Sequence, residues 1–315
     1  MRILFVKTSS LGDVIHNGPA VSDAARAFPD AVIDWVVEEP FTEIAALHPA
    51  VRRVIPVAIR RWRGALLASA TWSEIGSFRH ALRDEPYDCI IDNQGLWKSA
   101  LICALAAGRK HGFDRASARE AAAARFYDVR HAVPAGLHAV ERNRRLAAAA
   151  LGYTPIAAPD YGLLAEGAPP LDVPAPFALL LTMTSRRSKR WPEERWGEVC
   201  RALAARGIRP VLPWGSNAER KRCERIARAT DHALVPRRMT LSEIARLIPR
   251  ARCVAGVDTG LAHLAAALGA PTVGIYCDSD PALTGLYGSA RARNLGAAGA
   301  PPSAAEVLAA LEELA

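Results

Sequence analysis

Val254-Ala255-Gly256-Val257-Asp258-Thr259-Gly260-Leu261-Ala262-His263 is the stretch that sets the fold class. A short apolar run reads as a buried strand, breaks at Asp-Thr-Gly, and passes at once into a helical pattern. Asp258 or Thr259 can cap that helix. Equally, the free backbone N–H groups of a helix start can hold an anion such as a phosphate. Gly260 would allow its close approach, and His263, one turn on, can point at it. The residues alone leave both uses open.

The same alternation of short apolar runs and helical patterns fills the chain on either side of this stretch. Strands are expected over residues 3–7, 33–37, 54–59 and 89–92, then 177–182, 209–213, 253–257 and 272–276. Helices are expected over 20–28, 75–83, 96–107 and 139–151, then 192–205, 218–229, 241–248, 261–268 and 304–314, and the Ala-rich segment 120–125 also reads as helix. Between 154 and 177 six prolines crowd the chain and periodicity fades, which marks a linker. The expected fold is α/β: a Rossmann-like domain over 1–160, a linker over 161–176, and a second Rossmann-like domain over 177–315. The final helix is free to pack back on the first domain. Such halves place a ligand cleft between the carboxyl edges of their sheets.

Composition narrows the partners. The chain has 315 residues, half of them apolar, and a formal net charge of +8, which favours an anionic partner: nucleic acid, an anionic membrane surface or a phosphorylated substrate. The six cysteines form no C-x-x-C pair and sit in apolar patterns, so they read as small buried hydrophobes. No stretch is long enough to span a bilayer, and the first apolar run is too short for a signal peptide, so a cytoplasmic protein is expected.

Three further stretches carry chemistry. Lys7-Thr8-Ser9-Ser10-Leu11-Gly12-Asp13 follows the first strand, where α/β sheets place functional loops, yet it is neither G-x-G-x-x-G nor a P-loop. Asp13 there is either a helix cap or a carboxylate available as a general base. Thr182-Met183-Thr184-Ser185-Arg186-Arg187-Ser188-Lys189-Arg190-Trp191-Pro192 sets hydroxyls and four cations ahead of a helix, with Pro192 suited to the first helical position. It is a phosphate clamp or a solvated basic loop. Arg52-Arg53 and Arg60-Arg61-Trp62-Arg63 offer guanidinium forks for carboxylates or phosphates, or else a solvated surface run. One interleaved aromatic and no recognisable module argue against nucleic acid. Glu219, after Pro213-Trp214-Gly215, is placed to hold ribose hydroxyls or to suit the helix dipole. The other histidines lack metal-ligand spacing, and no metal site or Ser–His–Asp pattern is visible.

Taken together, K-T-S-S-L-G-D-V, A-I-R-R-W-R, K-R-W-P-E-E-R-W, P-W-G and V-D-T-G-L-A-H-L resemble, in that order, the motifs of the ADP-heptose:lipopolysaccharide heptosyltransferase family. These are inverting glycosyltransferases of the two-Rossmann GT-B fold. A-I-R-R-W-R is more similar to the branch that adds the first heptose, heptosyltransferase I, than to the branch that adds the second. The resemblance runs from Met1 to about Pro281. It implies transfer of L-glycero-D-manno-heptose from ADP-heptose, a substrate rather than a cofactor, to the inner Kdo of Kdo2-lipid A. It implies Asp13 as general base. Lys189 and the amides of Thr259 and Gly260 would stand against the departing ADP, with Thr184 and Ser185 on the same phosphates. Asp258 and His263 would face the heptose and pyrophosphate, Glu219 the ribose, and backbone near Met239 the adenine. Arg60, Arg61, Arg63 and Arg119 would meet the acceptor. No metal is implied, and a peripheral contact with the inner membrane is. Ser185 departs from the family's usual Thr, and Cys277 from a usual Gly. A relative with another acceptor, such as a heptosyltransferase II, a noncatalytic nucleotide-sugar binder and a nucleic-acid binder are the alternatives.

Overall fold

The computed structural model describes residues 1–155 and 157–314. The chain forms two compact units, Met1–Leu164 and Ala165–Ala315.

The first unit holds a six-stranded sheet in the order β3-β2-β1-β4-β5-β6, every neighbouring pair parallel. Its strands are β1 (Arg2–Val6), β2 (Val32–Glu38), β3 (Val51–Val57), β4 (Tyr87–Asp92), β5 (Gly108–Phe113) and β6 (Val129–His131). Its helices are α1 (Leu11–Ile15), α2 (Gly18–Ala27), α3 (Thr42–Ala45), α4 (Ile59–Arg63), α5 (Ser69–Arg83), α6 (Trp97–Leu105) and α7 (Ala139–Leu151). Ile3, Leu4, Phe5 and Val6 are fully buried, as a central strand covered on both faces requires. From β1 the chain winds outward to β3, then crosses back to place β4 on the other side of β1. The order reverses between β1 and β4, so the crevice at their carboxyl ends is the switch point.

The second unit repeats the plan with a five-stranded parallel sheet, β11-β10-β9-β7-β8. Its strands are β7 (Phe177–Leu181), β8 (Arg209–Val211), β9 (Cys253–Val257), β10 (Thr272–Tyr276) and β11 (Ala292–Gly296). Its helices are α8 (Glu193–Ala205), α9 (Asn217–Ala227), α10 (Leu241–Leu247), α11 (Gly260–Ala267), α12 (Pro281–Thr284) and α13 (Ala304–Leu314). The order reverses between β7 and β9. A side chain at Gly256 would press on Ala262 and Leu181 at 3.0 and 3.1 Å, so the glycine lets α11 lie close on β9. The final helix belongs to this unit: Val307 and Leu311 join a core with Trp191, Trp196 and Val273.

Several expected bounds move. The strand expected over 54–59 ends at Val57, and Ile59 begins α4. The apolar run is continuous there because Ile59 and Trp62 pack on the same core as Ile55 and Val57. The Ala-rich helix expected over 120–125 is a 3-10 helix, Ala121–Phe126, with Ala123 packed against Ala100 and Tyr127. Pro192 is the N-cap of α8, in extended conformation (φ −56°, ψ 143°), rather than its first helical residue. All six cysteines are free thiols. Among the described residues no helix is long and apolar enough to cross a membrane.

Candidate active site

At the switch point of the first unit, α1 starts directly after the loop that leaves β1. Asp13 is its third residue, and its two oxygens do different work. Oδ2 accepts from the backbone N–H of Ser10 at 2.9 Å, which is the capping use. Oδ1 accepts from Arg119 Nη2 at 2.7 Å, with Lys7 Nζ at 3.7 Å. The capping bond to Ser10 thus uses one oxygen of Asp13 and leaves the other to Arg119 and Lys7. Nothing in the sequence singles out Lys7, the residue directly after β1, which is almost wholly buried. Its ammonium donates to Asn93 O at 2.7 Å and Asn143 Oδ1 at 3.4 Å, groups that follow β4 and lie on α7. Gln94 Oε1 accepts from the amides of Thr8 and Ser9 at 3.0 and 3.1 Å and fixes the loop.

The electrostatics follow from this crowding. Burial pulls the Asp13 carboxyl upward, but Lys7, Arg119 and the Ser10 amide outweigh it and hold the group well below the usual carboxylate range. Burial pushes Lys7 down from 10.5 to about 8, against support from Asp13, with Arg119 adding to the fall. Asp13 is therefore ionised throughout the neutral range, and its own partners lower its proton affinity.

The arginine stretch divides. Arg52 grips Asp34 with two bonds, Nε to Oδ1 at 3.0 Å and Nη2 to Oδ2 at 2.8 Å, and Arg53 donates to the same carboxylate at 3.2 and 3.0 Å. Asp34 is fully buried in β2, and Tyr87 adds a third donor at 2.7 Å. Arg52 and Arg53 are thus neither an external anion site nor a solvated run: they neutralise an internal carboxylate. Arg61 forks onto Glu39 at 3.1 and 3.0 Å and reaches Glu74 at 3.0 Å. Arg60 and Arg63 are exposed and make no salt bridge among the described residues.

At the switch point of the second unit lies the stretch over residues 254–263. Thr259 is the N-cap of α11, yet its side chain accepts no cap hydrogen bond. Nor is Asp258 the cap. Its Oδ2 takes Lys189 Nζ at 2.5 Å and Ser279 Oγ at 2.6 Å, and His263 Nε2 lies 3.7 Å from Oδ1. Burial raises the Asp258 carboxyl, but bonds from His263, Lys189 and Ser279 hold it well below the usual range. The start of α11 is left without a side-chain acceptor, beside a cation, which is the arrangement an anion site needs. Ser279, three residues beyond β10, reaches Asp258 because β9 and β10 are neighbours in the sheet, a contact its local sequence does not mark. Lys189 sits in the 3-10 turn Arg187–Lys189, after the loop that carries Thr184, which is buried, and Ser185, which is exposed. In the same motif Trp191 and Trp196 are fully buried core residues, and Glu193 pairs with Arg222 and Arg225 at 2.7 Å each. Glu219 accepts from the amides of Gly215 and Ser216 at 2.7 and 3.1 Å, closing a capping box on α9. Met239 is buried just ahead of α10.

Two Rossmann-like parallel units, each with a charged carboxylate cluster at its switch point, are the parts of a glycosyltransferase of the GT-B type. The family model for glycosyltransferase family 9 (heptosyltransferase) matches residues 75–307, and the chain belongs to that family. It is 48% identical to lipopolysaccharide heptosyltransferase 1 of Pseudomonas aeruginosa, over 91% of this chain and 82% of that one. It is 47% identical to lipopolysaccharide heptosyltransferase 1 of Escherichia coli K12, over 91% of each chain. The solved Escherichia coli heptosyltransferase WaaC with ADP superposes with a TM-score of 0.94 at 44% identity, covering all of both chains.

Proposed function

We propose that the chain moves L-glycero-D-manno-heptose from ADP-heptose to the inner Kdo of Kdo2-lipid A, with inversion, in assembly of the lipopolysaccharide inner core. The observation that carries this is the pairing of roles across the chain: an ionised Asp13 in one unit, and in the other an uncapped helix start beside Lys189. The names of the relatives above support the substrate class.

In a single displacement the Kdo hydroxyl attacks the anomeric carbon of the donor as Asp13 takes its proton. The bond from that carbon to the ADP oxygen breaks, and its electron pair leaves on the diphosphate. A β donor becomes an α product. Lys189 and the amides of Thr259 and Gly260 meet the charge growing on ADP, in the manner of an oxyanion hole. Thr184 and Ser185 contact the same phosphates. Asp258 and His263 hold the heptose side, Glu219 the ribose, and backbone near Met239 the adenine. The leaving group is stabilised in this reading by protein groups alone, and no cofactor takes part.

Arg119 occupies the Asp13 oxygen that an incoming hydroxyl would need. An acceptor carboxylate that draws Arg119 away frees that oxygen and raises its proton affinity at the moment the substrate is in place. Arg60, Arg61 and Arg63 contact the acceptor's remaining anionic groups, and the protein works at the cytoplasmic face of the inner membrane through a peripheral contact. Product analysis tests the reaction. Mass gain of one heptose on Kdo, α-linked by NMR, is expected. A β linkage, or heptose on another sugar, contradicts it.

A further inference from the structure

The turn between α4 and α5 carries a surface that the chemistry of transfer does not use. Leu67 is wholly exposed, and Leu66 and Trp72 are more than half exposed. Three large apolar side chains thus lie in water within seven residues, beside the unpaired Arg60 and Arg63. From Ala58 to Ser73 the chain has three arginines and no acidic residue. Of the nearby acids, Glu39 and Glu74 are held by Arg61, and Glu38, which feels the Arg60 charge, is buried.

The turn is also self-satisfied. Trp72 Nε1 donates to Leu66 O at 2.9 Å, so the indole's one donor and a carbonyl at the tip are already paired. The amides of Ala65, Ala68 and Thr71 bond back to Trp62, Ala65 and Ala68. Its base is anchored by a bond from the Arg60 amide to Glu38, and by Trp62 Nε1 on Glu74 at 2.8 Å. Such a turn can enter an apolar medium without stranding those groups. An indole with its polar edge satisfied suits the headgroup boundary of a bilayer.

We propose that this turn is the membrane-docking surface. Leu66, Leu67 and Trp72 enter the boundary between headgroups and acyl chains, and Arg60 and Arg63, placed above on the acceptor's anionic groups, meet those groups at the surface of the same anionic bilayer. The unmatched arginines beside the apolar tip select an anionic bilayer as the occupant. The proposal rests on the peripheral contact inferred above and gives it a location, at residues 60–72 rather than at Arg52 and Arg53.

Vesicle flotation of the full chain tests it. Binding to mixed phosphatidylglycerol–phosphatidylcholine vesicles is expected, weaker on pure phosphatidylcholine and weaker in high salt. Leu66→Ser with Leu67→Ser should lower the partition about tenfold or more, since two exposed leucines no longer leave water. The variant's melting temperature should be unchanged, and so should its transfer to a deacylated, water-soluble acceptor. Wild-type protein that ignores anionic vesicles, or a double variant that binds them as wild type does, overturns the proposal. So does a double variant altered only in self-association, which would assign the patch to a second copy of the chain. Failure of the transfer reading looks different: vesicle binding stays intact while no acceptor receives heptose.

Discussion

Replacing Asp13 by asparagine keeps the shape of the side chain and removes its charge, and the consequence falls on Lys7 as well as on catalysis. Lys7 stands 3.7 Å from the carboxylate, and its pKa of about 8 already reflects burial opposed by Asp13. At an effective dielectric of ~20, charges about 4 Å apart interact by about 4 kcal/mol, or about 3 pKa units. Without that support Lys7 becomes neutral at pH 7. A lysine whose folded pKa lies below its unfolded one opposes folding below the unfolded pKa, and the penalty stops growing below the folded pKa. In the wild type it stops near pH 8; in Asp13→Asn it continues to grow. The added instability from Lys7 is therefore absent above about pH 9 and increases by about 1.4 kcal/mol per pH unit below 8. Asp13 itself titrates far below this window, so weakening of its bond from Ser10, which an amide oxygen can still accept, adds a constant of at most about 1 kcal/mol. Turnover should fall by about 10²- to 10⁴-fold with ADP affinity unchanged. Denaturant unfolding at pH 6, 7, 8 and 9, with initial rates on the same samples, measures both. A stability difference that is flat from pH 6 to 9 refutes the coupling. Turnover within tenfold of wild type refutes the base.

Arg119→Met should raise KM for the acceptor more than it lowers kcat, with Arg119→Lys restoring part of the affinity; an unchanged KM would remove Arg119 from acceptor binding. Lys189→Met should weaken ADP by roughly tenfold or more, read as a smaller ADP-induced rise in melting temperature. It also deprives Asp258 of one of the bonds that lower its pKa. Stability that depends on this carboxylate being ionised should then begin to fail at a higher pH on acidification, and a thermal melt series from pH 3 to 7 reads that shift. Asp34→Asn should cost roughly 2–4 kcal/mol by leaving Arg52, Arg53 and Tyr87 short of their common acceptor, while kcat/KM of the folded fraction stays at the wild-type value.

What the sequence could show followed burial. The central strands β1, β9 and β10 are covered on both faces, so apolar runs marked them within a residue or so. The strands β5, β6 and β11 carry no such run. β6 and β11 are edges, and Gly-Arg-Lys-His-Gly-Phe and Ala-Arg-Asn-Leu-Gly carry charges that an apolar-run reading takes for loops. The apolar pattern of α5 begins six residues after its actual start because Ser69–Glu74 shows water a largely polar, aperiodic face. The Asp258-Thr259-Gly260 turn and Asp13 are legible because strand-to-helix turns have local signatures. Their distant partners are not: Arg119 reaches Asp13 from over a hundred residues away, Ser279 reaches Asp258 from beyond the neighbouring strand β10, and the arginines on Asp34 come from the neighbouring strand β3. Arg53 lies opposite Asp34 in the β2–β3 register, a pairing that spacing along the chain does not reveal.

The central claim is that Asp13 and the Lys189–Asp258 cluster serve one reaction between a nucleotide-activated heptose and a Kdo-bearing acceptor. Release of ADP from ADP-heptose, followed with and without Kdo2-lipid A, tests it most directly. ADP should appear only when both substrates are present, and Asp13→Asn should bind ADP yet release almost none. Release that ignores the acceptor, or no release from folded protein that binds ADP, would contradict it.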